Sequence, residues 1–128
     1  MSERIPRIRR AAVPHDAVVV VRGQPADPND ARDLAEDFRR RFTDWGRWGL
    51  SAFYARGESE VDDIALARLR RFGSLRVYRI AVLEEHGFEV VPTFRSPHVT
   101  IAWVGTLDEG LRELDRAEHD DRTNPYHD

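Results

Sequence analysis

Residues 88–104 read FEVVPTFRSPHVTIAWV and contain two apolar runs joined by a turn. The runs, 88–94 and 98–104, are rich in β-branched and aromatic residues, which favour β-strands. The link from Arg95 to Pro97 is short and typical of a turn between neighbouring strands. This stretch therefore predicts two adjacent strands in one sheet.

Upstream of this pair, strand patterns alternate with helical ones. Further strands are predicted at 17–21, 50–55 and 75–80. Apolar residues at helical spacing predict a helix from Pro28 to Trp45 and another after Ser59, and 81–86 reads as a short helical turn. A last helix is predicted after Thr106, because Leu107, Leu111 and Leu114 form one apolar stripe.

Local signals predict where these helices begin. Pro28 suits a first helical position, where its missing N–H costs nothing. Ser59 with Asp62 resembles a capping box, and Thr106 with Glu109 forms one with the usual Glu. We therefore expect Ser59 and Thr106 to be N-cap residues.

The order of elements predicts the fold class. Early strands alternate with helices and the last two strands form a pair, which predicts an α+β fold. We expect a single mixed β-sheet of about five strands with three main helices. One domain is predicted at 15–118, with an Arg-rich N-terminal arm at 1–14 and a C-terminal tail, read as a surface loop, at 119–128.

Composition excludes several kinds of chemistry. The chain has 128 residues, a net charge of −3 and no Cys, and all 20 of its basic residues are Arg. Thiol chemistry, Cys-ligated zinc and lysine Schiff bases are therefore excluded. The lysine-free, Cys-free composition and the absence of a long apolar run predict a bacterial, cytoplasmic protein that does not enter the membrane. The net charge argues against nucleic-acid binding by global charge alone.

The histidines do not predict a metal site. They are His15, His86, His98, His119 and His127. No pair has the i,i+4 spacing or the flanking pattern of a metal-binding motif, so no metal is expected.

The segment SPHVTIAWVG resembles the two-histidine phosphoesterases, whose motif is His-x-Thr/Ser on a strand. The resemblance implies that His98 is an acid–base catalyst and that Thr100 holds a phosphate oxygen. In that family a second motif supplies the other imidazole. The only other Pro-His before a strand contains His15, and Ala17 stands in the place of its Ser/Thr.

The order VVVVRG, helix, GLSAF, helix, VYRIAV and two closing strands resembles the ADP-ribosyltransferase fold of small bacterial toxins. The resemblance implies NAD as a cofactor. It also implies that Arg22 grips the dinucleotide phosphate, Ser51 supports the nicotinamide ribose and Glu89 is the catalytic carboxylate. The family's Glu-x-Glu or Gln-x-Glu is absent, so activity is altered or lost if Arg95 or His98 occupies that place.

An aromatic–guanidinium cluster stands at Trp45, Arg47 and Trp48. Such a cluster can stack a nucleotide ring, which would make Arg47 and Trp48 cofactor-binding residues. The alternative is that the indoles pack a helix onto the sheet.

Together these features predict a small nucleotide-directed enzyme of the toxin type, a diverged NAD-dependent ADP-ribosyltransferase. One alternative is a phosphodiesterase that uses His98. Another is a non-catalytic, partner-binding or antitoxin-like protein. The expected partners are a cognate antitoxin or other protein, and a nucleotide or RNA.

Overall fold

The predicted strands assemble into one sheet with helices on both sides. The computed structural model describes Val13, residues 18–22 and residues 48–128. The strands are β1 (Val18–Arg22), β2 (Trp48–Ala55), β3 (Ser74–Arg79), β4 (Glu89–Pro92), β5 (His98–Trp103) and β6 (His119–Thr123). The helices in these residues are α1 (Glu58–Arg68), α2 (Ile80–Glu85) and α3 (Leu107–Arg116). The predicted α+β class is confirmed. The arm before Val13 and the helix predicted from Pro28 lie outside the described residues.

The six strands follow the order β4-β5-β2-β1-β3-β6. Every pairing between these described strands is antiparallel, so the predicted mixed sheet is wrong. The prediction failed because β2 and β3, which α1 connects, are not neighbours. Strand β1 lies between them and runs antiparallel to both.

The predicted neighbours β4 and β5 do pair, which confirms the expectation from the short link between them. Their register joins Val91 to Thr100 and Pro92 to Val99. On its other side β5 pairs with β2. Strand β4 is an edge of the sheet that the described strands form, and Pro92, which has no N–H to donate, suits that position.

Two hydrophobic clusters occupy the two faces of the sheet. The first packs α2 and α3 against β2, β3 and β5, and its largest fully buried members include Leu50, Tyr78, Leu83, Val99 and Ile101. The second packs α1 against the opposite face, and its buried members are Ala55, Val61, Ile64, Ala65, Leu69, Leu75 and Val77. We call these the α2/α3 face and the α1 face. Burying each large aliphatic side chain contributes about 1.5–3 kcal/mol.

The two predicted capping boxes have different outcomes. The Thr106 hydroxyl accepts a hydrogen bond from the Glu109 N–H at 3.2 Å and caps α3 as predicted. Ser59 does not cap α1, because that helix begins earlier, with Gly57 at the N-cap. The Glu60 carboxylate instead accepts a hydrogen bond from the Arg56 N–H at 3.1 Å. This bond stabilises the start of α1.

Residues 119–123, which the sequence predicts as part of a surface loop, form edge strand β6. Ion pairs of its charged residues, rather than apolar packing, hold this strand in place. Arg76 is buried and donates two hydrogen bonds to Asp121, from Nε at 2.7 Å and from Nη2 at 3.2 Å. On the other face Arg122 donates to Glu58 of α1 at 2.6 Å. These ion pairs join β6 to the rest of the sheet.

The hydrogen bond from Arg76, followed by the attraction of its charge, lowers the pKa of Asp121 below its usual value. Stability from such a carboxylate is present above its unfolded pKa of about 3.9 and is lost as the pH falls through the folded value. Asp121→Asn should therefore destabilise the protein at pH 7 by about 1–2 kcal/mol, a figure reduced because the carboxylate is half exposed. Urea unfolding at pH 7 and pH 3 should show this difference shrinking in acid.

Asp115→Asn is the matched control, since Asp115 faces the same guanidinium at 3.9 Å but is 80% exposed. It should change stability little at either pH. An Asp121→Asn variant as stable as the wild type at pH 7 would contradict the role assigned to this pair.

Gly110, in the middle of α3, allows the helix to approach Trp103. A Cβ atom at this position would lie 2.7 Å from Trp103 Cδ1 and 2.9 Å from Cγ, which is inside van der Waals contact. The indole itself is fixed by a hydrogen bond from Nε1 to the Thr106 carbonyl at 2.9 Å. Glycine is therefore required here for packing.

Gly110→Ala should destabilise the protein although alanine is the better helix former. Overpacking costs about 1–3 kcal/mol, which exceeds the gain of about 1 kcal/mol in helix propensity. Denaturant unfolding measures the net loss. In a Trp103→Leu background the same substitution should lose its cost, and an unchanged cost would show that the indole is not the obstacle.

Candidate functional site

The α1 face of strands β2 and β5 carries two of the predicted site residues. Ser51 lies opposite Thr100, and His98 lies opposite Phe53. Paired residues of neighbouring strands point to the same face, and every second residue along a strand returns to it. Ser51, His98 and Thr100 therefore share one face, as the His-x-Thr spacing requires.

His98 is part of a chain of hydrogen-bonding side chains. The Thr93 hydroxyl lies 2.8 Å from His98 Nδ1 and 2.9 Å from the Thr100 hydroxyl. Thr93 and Thr100 are fully buried, whereas His98 is half-buried. A bridging hydroxyl in a buried setting holds the imidazole in one orientation. Thr93 and Thr100 thus form a fixed support beneath a more accessible ring.

Two aromatic rings stand beside the imidazole. Phe53 contacts His98 edge-on at 5.5 Å between ring centroids, and Phe94 does so at 5.1 Å. Phe94 has a positive φ of 55°, a left-handed conformation that side chains larger than Asn rarely adopt. Such strain costs on the order of 1–3 kcal/mol and is concentrated at functional sites. This conformation brings Phe94 against the ring of His98.

Backbone hydrogen bonds fix the turn that contains these residues. The His98 N–H donates to the Arg95 carbonyl at 2.9 Å, and the Thr93 N–H donates to the His98 carbonyl at 3.2 Å. From β2, the Tyr54 N–H donates to the Pro97 carbonyl at 2.9 Å. The turn is therefore anchored on both sides of β5, and His98 projects from a rigid position.

Glu89 lies on the same face but at the other end of the strand pair. It is opposite Ala102, four residues along β5 from His98. At the usual rise per residue, four residues span about 13 Å. Ser51 lies at the level of Thr100, between them. The structure thus places the three predicted catalytic residues on one face but does not bring Glu89 next to His98.

Among the predicted cofactor-binding residues, the structure describes the side-chain contacts of Trp48. Trp48 packs on the α2/α3 face, and its indole N–H donates to the Gly105 carbonyl at 2.8 Å. It is three residues from Ser51 in the same strand, so the two side chains point to opposite faces. Trp48 therefore packs against the core, as the alternative interpretation of the aromatic cluster predicts. Arg47 lies outside the described residues, and of Arg22 the structure describes the pairing of its backbone with Leu75.

The hydroxyl of Thr93 is the feature of this site that the sequence did not reveal. Thr93 is not part of the His-x-Thr motif. The turn between β4 and β5 places it across from His98, and the motif alone does not predict this contact. A signal was available, since Thr93 is the only hydroxyl residue in the run 88–94 and lies two residues before the predicted turn.

A separate open groove of about 320 Å³ lies on the α2/α3 face. It is lined by His86, Trp103, Glu109, Arg112, Glu113 and Arg116. His86 Nδ1 lies 3.0 Å from Glu113 Oε1, and this hydrogen bond lowers the pKa of Glu113. The groove contains none of the predicted catalytic residues. Its His–Glu pair joins the end of α2 to α3, so we interpret it as a structural contact.

Neither a metal cluster nor a membrane span occurs in the part of the chain that the structure describes. Within residues 18–22 and 48–128, no group of three or more His, Asp or Glu side chains is arranged to hold a metal ion. None of the described helices is long and apolar enough to cross a membrane.

Comparison with protein-family models, curated proteins and solved structures found no match for this chain.

Proposed function

We propose that the protein is a nucleotide-directed phosphoesterase in which His98 acts as the general base. The observation that carries this proposal is the chain from Thr100 through Thr93 to His98 Nδ1, with oxygen–oxygen and oxygen–nitrogen distances of 2.9 and 2.8 Å. A hydroxyl group at Nδ1 sets the orientation of the ring, so proton transfer to a substrate would use Nε2. Catalytic imidazoles are commonly oriented in this way by a second polar group.

The proposed reaction is the opening of a 2′,3′-cyclic phosphate. His98 Nε2 takes a proton from a water molecule, and the water oxygen forms a bond to phosphorus. The bond from phosphorus to one ribose oxygen breaks, that oxygen takes a proton from a solvent water molecule, and His98 returns its own proton to solvent, so that a phosphate monoester is formed. In the resembling family a second imidazole supplies this proton. Of the other described histidines, His86 follows α2, His119 begins β6 and His127 follows β6, and His15 lies outside the described residues.

Thr100 has a different role here from the one that the resemblance implies. Its side chain is fully buried and bonded to Thr93, so it supports His98 rather than holding a phosphate oxygen. Ser51, opposite Thr100 and only half-buried, is the hydroxyl on this face better placed to meet a ligand.

The test is a turnover assay of the full chain with the four 2′,3′-cyclic nucleotides and a short RNA ending in a cyclic phosphate. We expect conversion to a monoester, and a pH–rate profile with an acid limb, since a general base must be deprotonated to act. A folded protein that turns over none of these substrates would contradict the proposal.

A dinucleotide enzyme of the ADP-ribosyltransferase type is the second candidate. Strands β1 and β2 pair Val20 with Phe53, and continuing this register by two residues brings the backbone of Arg22 level with Ser51. The two residues assigned to NAD by resemblance thus stand on neighbouring strands. Calorimetric titration with NAD tests this candidate, and the absence of heat would remove it. A cognate antitoxin and a bacterial, cytoplasmic setting stay predictions from the sequence.

A further inference from the structure

Arg68, in the last turn of α1, is placed over an aromatic ring. Its guanidinium carbon lies 5.9 Å from the centroid of the Phe53 ring. Attraction between a cation and an aromatic face at this distance favours one position of a flexible side chain. Arg68 is exposed to solvent, so its N–H donors are accessible at that position.

Arg68 is one of five, among the ten arginines whose side chains the structure describes, that form no ion pair with a described Asp or Glu. Five others form ion pairs within 4.0 Å: Arg70, Arg76, Arg79, Arg116 and Arg122. Within residues 18–22 and 48–128, no Asp or Glu lies within that distance of the Arg68 guanidinium. Its charge is therefore available to an anion from solution, for which a guanidinium offers two parallel N–H donors.

The ring beneath Arg68 also contacts His98. Phe53 lies opposite His98 in the β2–β5 register, and the two rings meet edge-on at 5.5 Å. Arg68 and His98 therefore both contact the Phe53 ring, and the distance from the guanidinium carbon to the imidazole centroid cannot exceed the sum of the two centroid distances. A phosphorylated ligand is large enough to contact both groups.

We propose that Arg68 forms an anion subsite that binds the phosphate group of the substrate on which His98 acts. This inference rests on the proposed function and names a substrate-binding residue for it. The substrate class is a phosphate ester, and the guanidinium would neutralise charge on its non-bridging oxygens. Phe53 serves as the platform that positions Arg68.

The binding experiment uses inorganic phosphate and uridine 3′-monophosphate as probes, titrated into the full chain and followed by NMR. Loss of one or two charge-assisted hydrogen bonds should weaken binding of either probe in Arg68→Gln by about tenfold to a hundredfold. Arg71→Gln is the matched control. Arg71 is another exposed arginine near the end of α1 and lies 5.4 Å from a different ring, Phe72, so this variant should bind as the wild type does.

The outcomes separate this inference from the proposed function. If His98→Asn stops turnover but Arg68→Gln binds phosphate as the wild type does, the subsite is wrong and the proposed function stands. If the wild type has no turnover but binds phosphate through Arg68, the subsite stands and the proposed reaction fails. Equal weakening in the Arg68 and Arg71 variants would show a general charge effect and overturn the subsite.

Discussion

His98→Asn is expected to lower turnover of a 2′,3′-cyclic nucleotide by about 10²–10⁴-fold, the usual contribution of a general acid–base group. The asparagine side chain places a polar atom near the position of Nδ1, so the contact with Thr93 at 2.8 Å can be kept while Nε2 is lost. The thermal midpoint should therefore change little. Initial rates of wild type and variant, with melting curves of both, test this prediction.

A control tests whether the Thr93 hydroxyl positions the His98 ring. Thr93→Val removes the hydroxyl that bridges His98 and Thr100, and should lower kcat and shift the acid limb of the pH–rate profile. Thr93→Ser, which restores the hydroxyl, should recover both. A His98→Asn variant that is folded and active would overturn the assignment of the base.

Asn124→Ala is expected to destabilise the protein by about 2–4 kcal/mol, a large part of the 5–15 kcal/mol typical of a folded domain. Asn124 is 3% exposed. Its Nδ2 group donates to the carbonyls of Leu69 and Phe72, both at 2.9 Å, and its Oδ1 accepts from the Tyr126 N–H at 3.0 Å. Alanine would leave these groups without the side-chain partner at the end of α1, where carbonyls lack partners within the helix.

Urea unfolding measures this loss, and hydrogen exchange should rise in residues 119–128. Asn124→Asp separates hydrogen bonding from packing, because it keeps the volume but sets an oxygen against two carbonyl oxygens. It should be at least as damaging as alanine. Thr123→Ala, at an exposed neighbouring position, should be nearly neutral. A loss below about 0.5 kcal/mol for Asn124→Ala, the range of ordinary surface substitutions, would contradict this prediction.

Features that depend on neighbouring residues were predicted well from the sequence. Thr106 caps α3 because the cap and its partner are three residues apart, and a local hydrogen bond needs no distant contact. The pairing of β4 with β5 followed from the short link between them. Ser59 failed as a cap because Gly57, two residues earlier, takes the N-cap position in α1.

The candidate site was predicted only in part. The period of two along β5 places His98 and Thr100 on one face, and the same period places Trp48 and Ser51 on opposite faces. That Trp48 and Ser51 point to opposite faces could therefore also have been predicted from the sequence. The unusual composition at Trp45 to Trp48 instead favoured one nucleotide site for both residues. The contact of Arg68 with Phe53 joins α1 to the strand that precedes it, and the apolar spacing of α1 in the sequence does not predict this contact.

Within the described residues, the sequence by itself determined every helix and strand except β6, because hydrophobic period, caps and turn residues act over a few positions. Only the tertiary structure decided the strand order, since α1 carries the chain past β1 and makes every described pairing antiparallel. It also turned the charged segment 119–123 into a strand, because that segment is held by Arg76 and Glu58 rather than by an apolar pattern. The bridge from Thr93 to His98 likewise depends on the register across the turn.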